Sequence, residues 1–265
     1  QTINFAREGS FPLPPGEGNW LGTDDQGRDV LARLLYGFRL SVLFGLLLAC
    51  ASSAAGMAAG ALQGYLGGRT DLFGQRFMEI WNGVPVLYLL IIVSASVRMS
   101  FWLLFGVMLL FGWMRLVPAV RRECLRVRSM QYVTAARALG VGRMRILARH
   151  VLPNALTAAL SMLPFVVGGS ITGLTALDFL GFGLPPEYPS LGEMIAQGKN
   201  NLFAPWIGLS VFVLLTAMLS MQVLIGEGVR DALDPSAAPL PAGRAEEMDG
   251  RSAGPEAGER REGAA

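Results

Sequence analysis

The sequence predicts an all-α polytopic membrane protein, and three observations carry that prediction. Hydrophobic residues make up 52% of the 265 residues and charged residues only 16%, too apolar a balance for an ordinary water-soluble domain. The charges are also segregated: residues 40–68, 80–97, 99–114, 151–177 and 200–226 contain no Asp, Glu, Lys or Arg. Finally, these runs do not alternate between apolar and polar positions, which excludes the short alternating strands of a membrane barrel. A helix needs about 20 apolar residues to cross a bilayer core, and hydrocarbon offers the backbone no other partner. Three runs meet that length outright. The two shorter ones reach it if Arg98 and Arg115 snorkel to the interfaces. Five spans are therefore visible.

Charge asymmetry orients them. Residues 115–150 hold nine arginines and one acid, Glu123, and short loops rich in Lys and Arg stay in the cytoplasm. Alternation then places the loop around Arg69 and Arg76 on the same side, as well as the C-terminus after Arg230. The turn near Arg98 and residues 178–205 lie outside, together with the N-terminal segment. The chain starts at Gln1 and shows no cleavable leader, so it is expected to begin inside a longer protein.

Residues 1–39 read as an extracytoplasmic lead-in. The first 20 are rich in Gly and Pro, and Thr23 or Asp24 is placed to cap a helix entering at Asp29. That helix carries Val30, Leu31, Leu34 and Leu35 on one side and arginines on the other, the pattern of a segment lying along the membrane surface. The membrane-spanning body is 40–230. Its first span, 40–62, carries Ser52, Gly56, Gly60 and Gly64 at four-residue spacing, which lets a second helix approach closely. The turn at 64–71 is glycine-rich but lacks the GxxxxGK[ST] spacing of a phosphate-cradling loop. Asn82-Gly83-Val84-Pro85 predicts a kink in the second span. Residues 231–265, poor in large apolar side chains, read as a disordered cytoplasmic tail.

The most informative stretch is the basic loop, 121–153. Residues 132–139 are good helix formers, and Gly140 suits a helix C-terminus. A second helix follows at 143–152, with Met144, Leu147, Ala148 and Val151 on one face and Pro153 as its expected end. Ala135, Ala136 and Ala138 give the first helix a low-relief surface ringed by arginines, Arg145 among them. A helix–turn–helix under the membrane is the expected product.

The order of residues in that loop resembles the coupling loop of ABC importer permeases, whose pattern is Glu-Ala-Ala, three residues, Gly, nine residues, Ile, one residue, Leu-Pro. Ala135, Ala136, Gly140, Leu152 and Pro153 stand at the matching offsets, whereas Thr134 replaces the Glu and His150 the Ile. Three further segments are similar to the dipeptide and oligopeptide branch of that family: 21–41 (LGTDDQGRDVLARLLYGFRLS), 177–195 (LDFLGFGLPPEYPSLGEMI) and 226–235 (GEGVRDALDP). The wording DFLGFG is closest to the peptide-antibiotic, microcin C type. The resemblance implies a type I importer permease fold with six spans, the first lying ahead of Gln1. It implies half of a pore for peptides, completed by a homologous permease subunit. It also implies an extracytoplasmic binding protein, and two ATPase domains that bind the ATP and dock at Thr134, Ala135, Ala136, Gly140, Arg145, Leu152 and Pro153. Membrane lipid surrounds such a subunit, and nucleic acid has no part. A nickel or other small-solute permease of the same family, or a stand-alone channel or ion-coupled carrier, is the alternative.

No cofactor or metal site is visible. His150 is the only histidine, and neither GxSxG nor HExxH occurs, so a membrane enzyme finds no support. Cys50 and Cys124 fall in different compartments and are expected to pack rather than pair. Ser161, Ser170, Thr172, Thr175 and Asp178, all in the fourth span, either line a polar passage or serve the helix itself: hydroxyls bonded to their own backbone, and a hydrated boundary acid.

Overall fold

The computed structural model describes residues 11–16 and 18–233; of the expected tail, 231–233 are the helical end of the last rod and the rest lies outside the described residues. Among those residues the structure is helical. Four rods are long and apolar enough to cross a membrane: Val30–Leu66, Phe101–Arg128, Arg143–Phe179 and Pro205–Leu233. A fifth passage is a bent pair, α2 (Gly68–Asn82) and α3 (Val86–Ser96), broken by 61°. Each charge-free run of the sequence falls mostly on one of these five, with overhangs of at most five residues at the ends.

Helix α1 (Val30–Leu66) is 37 residues long, about 55 Å at 1.5 Å per residue. The surface helix expected before the first span is not a separate element, because α1 runs through Arg39 into the span without a break. Nothing between 30 and 66 interrupts it, and Asp29, rather than Thr23 or Asp24, caps it by accepting from Ala32 N–H at 3.0 Å. Nor does the arginine face hold as the amphipathic pattern suggests: Arg33 is 1% exposed, while Arg39 and Leu35 are both exposed.

The bend between α2 and α3 falls on Gly83-Val84-Pro85. Pro85 is extended (φ −74°, ψ 108°) and can neither donate a helical hydrogen bond nor favour a helical residue before it. Arg121 reaches across to Asp71 with two hydrogen bonds, 2.5 and 2.6 Å, tying α2 to the second rod. That rod comprises α4 (Phe101–Gly112), a 3₁₀ turn at Trp113–Arg115 and α5 (Val117–Arg128). Pro118 sits in the first turn of α5, where its missing N–H costs nothing. Much of the basic stretch is therefore a helical extension of the span.

After α6 (Gln131–Ala138) and α7 (Arg143–Ile146), a π turn at Leu147–Val151 leads into α8 (Leu152–Phe179). Pro153 does not end the helix, contrary to the sequence expectation. The π turn widens the preceding coil, with Leu152 N–H bonded five residues back to the Leu147 carbonyl. The proline ring is thus accommodated at the start of α8. The buried face also differs: Ile146, Leu147 and Val151 are buried, whereas Met144 is 67% exposed and Ala148 is exposed.

Helix α9 (Leu191–Asn200), which the pass along the sequence overlooked, carries a legible start. Ser190 and Glu193 stand three apart, and Glu193 N–H donates to Ser190 Oγ at 3.3 Å. It packs between the start of α1 and α10 (Pro205–Leu233), burying Val30, Leu34, Leu191, Met194, Ile207 and Val211 together.

Helix α1 is the axis of the bundle. Its small residues admit α5 on one side: a Cβ at Gly60 would lie 2.9 Å from the Val117 carbonyl oxygen and from Val120 Cβ, and one at Gly64 would lie 2.6 Å from the Arg121 carbonyl. Gly56 meets the Trp113 carbonyl, and Ser52 lies beside Gly112. Gly45 meets Ile171 of α8 on the other side. Because backbone, not a flexible side-chain tip, fills the space, Gly60→Val is expected to destabilise the bundle by about 1–3 kcal/mol. A lowered thermal midpoint in detergent checks this, with Leu62→Val, on the exposed face, as the neutral control.

Candidate functional site

Helix direction puts the turn at 66–68 and the bracket 129–146 at one end of the bundle, and residues 11–29, 97–100 and 180–204 at the other. The bracket is welded to its end by a single apolar cluster. Val133 of α6 and Ile146 of α7 are fully buried with Ala61, Tyr65, Val120, Cys124, Val127, Leu147, Val151 and Ala155. Two anchors, one on each arm, leave the bracket little freedom to tilt independently of α1, α5 and α8.

The turn of the bracket is a Schellman closure. Val141 N–H bonds to the Ala136 carbonyl at 3.1 Å and Gly140 N–H to the Arg137 carbonyl at 3.0 Å. Gly140 has φ +77°, a conformation that suits glycine, and no atom approaches the position of its missing Cβ. This closure points Leu139 outward at 84% exposure. Thr134, Ala135, Ala138 and Arg145 are exposed, Ala136 is half-buried against the core, Leu152 is half-buried, and Pro153 is exposed. Thr134 Oγ1 donates to the Met130 carbonyl at 3.3 Å, satisfying itself on its own helix. The predicted coupling residues thus converge on one end of the molecule. The exposed apolar tip formed by Leu139 and Met144 was not among them. Its signal was the position of Leu139 immediately before the helix-ending glycine.

The candidate pathway residues do not converge. Ser170 and Ser52 line a cavity of about 340 Å³ between α1, α3, α4 and α8. Thr172 and Thr175 line an apolar recess against α10, and Ser161 a charged recess with Glu123, Arg126 and Arg230. Each hydroxyl donates to its own helix: Ser161 to the Ala158 carbonyl, Ser170 to Val166, Thr172 to Gly168 and Thr175 to Ile171. Asp178 is buried, accepting from Leu184 N–H at 2.7 Å and from Ser190 Oγ; it clasps the loop after α8 to the start of α9. Arg115 was assigned to an interface by its place at the end of a run. It instead lies against Gly169 in mid-α8 and lines the same cavity as Ser52 and Ser170.

At the opposite end four charges form a network. Asp24 accepts from Arg28 Nε (2.7 Å), Arg28 N–H (2.8 Å) and Arg33 (3.3 Å), and Glu193 of α9 accepts from both arginines. Burial pushes the Glu193 carboxyl above its ordinary value, and the Arg28 guanidinium opposes that shift. Among the described residues no group of three metal-ligating side chains occurs, and Cys50 and Cys124 are both free.

The family described as binding-protein-dependent transport system inner membrane component matches residues 53–238. An inner membrane ABC transporter permease protein of Escherichia coli, YejE, is 57% identical over 89% of this chain and 70% of its own length. A peptidoglycan transport system permease protein of Agrobacterium fabrum is 61% identical over 83% of the chain, which spans 58% of that relative. An oligopeptide transport system permease protein, OppC, of Mycobacterium tuberculosis is 37% identical over 87% of the chain and 80% of its own length. Among solved structures, the inward-facing MetNI methionine ABC transporter superposes with a TM-score of 0.62 at 15% identity, covering 77% of this chain and 98% of that one. The match over residues 53–238 and the identity to these permeases show that this chain belongs to the binding-protein-dependent transport system inner membrane component family, the permeases of ABC transporters.

Proposed function

We propose that this chain forms half of the translocation pore of an ATP-driven importer for peptides, completed by a second, homologous permease subunit. Two ATPase domains bind and hydrolyse the ATP, and a soluble protein on the other face delivers the peptide. The chain itself performs no chemistry. The bracket faces the cytoplasm, where the arginine-rich loop of an inner-membrane protein belongs. The observation that carries this reading is the bracket itself: an apolar tip, Leu139 at 84% and Met144 at 67% exposure, on a pair of helices rooted in the core by Val133 and Ile146. A tip built for water alone gains nothing from exposing two large apolar side chains, while the rooted arms transmit any push on the tip to α1, α5 and α8.

The mechanism follows from differential binding. ATP closes the ATPase pair, the groove holding the bracket moves, and the helices rooted to it re-pack between outward- and inward-facing states. ATP drives that exchange only by binding one state better than the other. Peptide as cargo is supported by the oligopeptide permease among the relatives. Arg115, beside Ser52 and Ser170, is the cation placed to meet a carboxylate in passage. Affinity purification of the full chain from a mild detergent tests the reading. An ATPase and a second permease are expected to copurify, and the assembly is expected to hydrolyse ATP faster when binding protein and peptide are added. A chain that purifies alone and conducts solute without ATP would be a channel or ion-coupled carrier.

A further inference from the structure

A second basic feature lies behind the bracket rather than on its tip. Arg128 at the end of α5, Arg137 of α6 and Arg143 at the start of α7 line one recess of about 190 Å³ with Tyr65 and Leu66, the last residues of α1. Arg128 donates to the Tyr65 carbonyl at 3.3 Å, and its guanidinium occupies the space a side chain at Gly67 would need. Arg137 lies over the Tyr65 ring, 5.6 Å from its centroid. None of the three makes an ion pair with an acid among the described residues. Tyr65 is 4% exposed, and its hydroxyl has no hydrogen-bond partner among them either. Three like charges around one small volume repel each other, and a buried hydroxyl left unbonded costs free energy. One anion with several acceptor oxygens relieves the repulsion.

We infer that this recess binds the phosphate of an acidic phospholipid from the leaflet on the bracket side. The inference rests on the orientation proposed above. A phosphate diester offers the acceptors that forked guanidinium groups match, and basic pockets at cytoplasmic helix ends suit acidic headgroups. Position favours lipid over an acidic side chain of the ATPase. Arg137, although exposed, lies over the Tyr65 ring and lines the recess. Leu66 is 41% exposed, and the next helix, α2, presents Leu72 and Phe73 at 57% and 73% exposure, an apolar surface for acyl chains. A lipid held there bridges the end of α1 to both arms of the bracket.

Titration of the purified full chain with phosphatidylglycerol, phosphatidylcholine or inorganic phosphate, read by native mass spectrometry, tests the inference. Phosphatidylglycerol is expected to bind at least about tenfold more tightly than phosphatidylcholine. Arg143→Gln and Arg137→Gln, both at exposed side chains, are each expected to weaken it about tenfold, the worth of one charge-assisted hydrogen bond. Equal affinity for the two lipids, unchanged binding in the arginine variants, or displacement of lipid by equimolar inorganic phosphate overturns the inference. So does a loss of ATPase capture by Arg137→Gln with lipid binding intact. Lipid binding is read without the ATPase, so its failure leaves the docking of the tip untouched, and the reverse also holds.

Discussion

Leu139→Asp is expected to abolish ATP-dependent uptake while the protein still folds and inserts. Leu139 is 84% exposed, so little of its side chain supports the folded chain, and its replacement is expected to shift stability by no more than about 0.5 kcal/mol. Seated in a groove of another protein, the same side chain is an anchor. Truncating an anchor costs about 2 kcal/mol or more, and a carboxylate in its place must also be desolvated. Together these correspond to a loss of roughly 100-fold or more in docking affinity. Leu139→Ala is expected to fall between the variant and the wild type, because it removes contact without adding charge. The measurement is ATPase capture by the solubilised chain beside peptide uptake by cells carrying matched amounts of it. Undiminished capture by Leu139→Asp would remove the tip from the interface. Gly140 provides an independent check: Gly140→Ala meets no steric obstruction but strains a backbone at φ +77°. It therefore re-aims the tip without changing its chemistry.

Asp24→Ala is expected to lower stability by about 3–5 kcal/mol, the usual consequence of removing one partner from a buried ion network. Asp24 and Arg33 are 0% and 1% exposed, and Asp24 is the acceptor shared by Arg28 and Arg33. Without it two guanidinium groups face a single carboxylate, Glu193. The thermal midpoint in detergent should fall by roughly 10 °C. Replacing Arg33 by Met in the same chain should restore part of the loss, since an apolar side chain removes the orphaned charge. A midpoint within about 2 °C of the wild type for Asp24→Ala alone would mean that water reaches the network. The network joins the segment before α1 to α9, so its loss should loosen the end of the molecule proposed to face the binding protein and leave the bracket end intact.

Much of the fold was legible because a membrane enforces a simple rule. Charge-free runs must be helices, and each of the five runs marks one of the four rods or the bent pair. The small residues from Ser52 to Gly64 were legible too, since only close helix contact calls for that spacing. Boundaries were harder. Leu40 looked like the start of a span, yet α1 begins at Val30. Arg33 is compatible with a buried helix only because Asp24 and Glu193 are brought to it from 9 and 160 residues away in sequence. Pro153 looked like a stop, yet the π turn before it lets the helix continue. Hydrogen-bond register, which residue type alone does not specify, made that difference.

What the sequence determined by itself was the number and location of the passages, the bracket and the order of residues along it, because hydropathy and turn chemistry act locally. What only the tertiary structure decided was which side chains meet. It placed Arg115 beside a cavity instead of at an interface. It spread Ser161, Ser170, Thr172 and Thr175 over three separate recesses, and it gathered Arg128, Arg137 and Arg143 around Tyr65. Such meetings depend on how rods from distant parts of the chain rotate and cross, and packing of whole helix faces, not any local pattern, sets those angles.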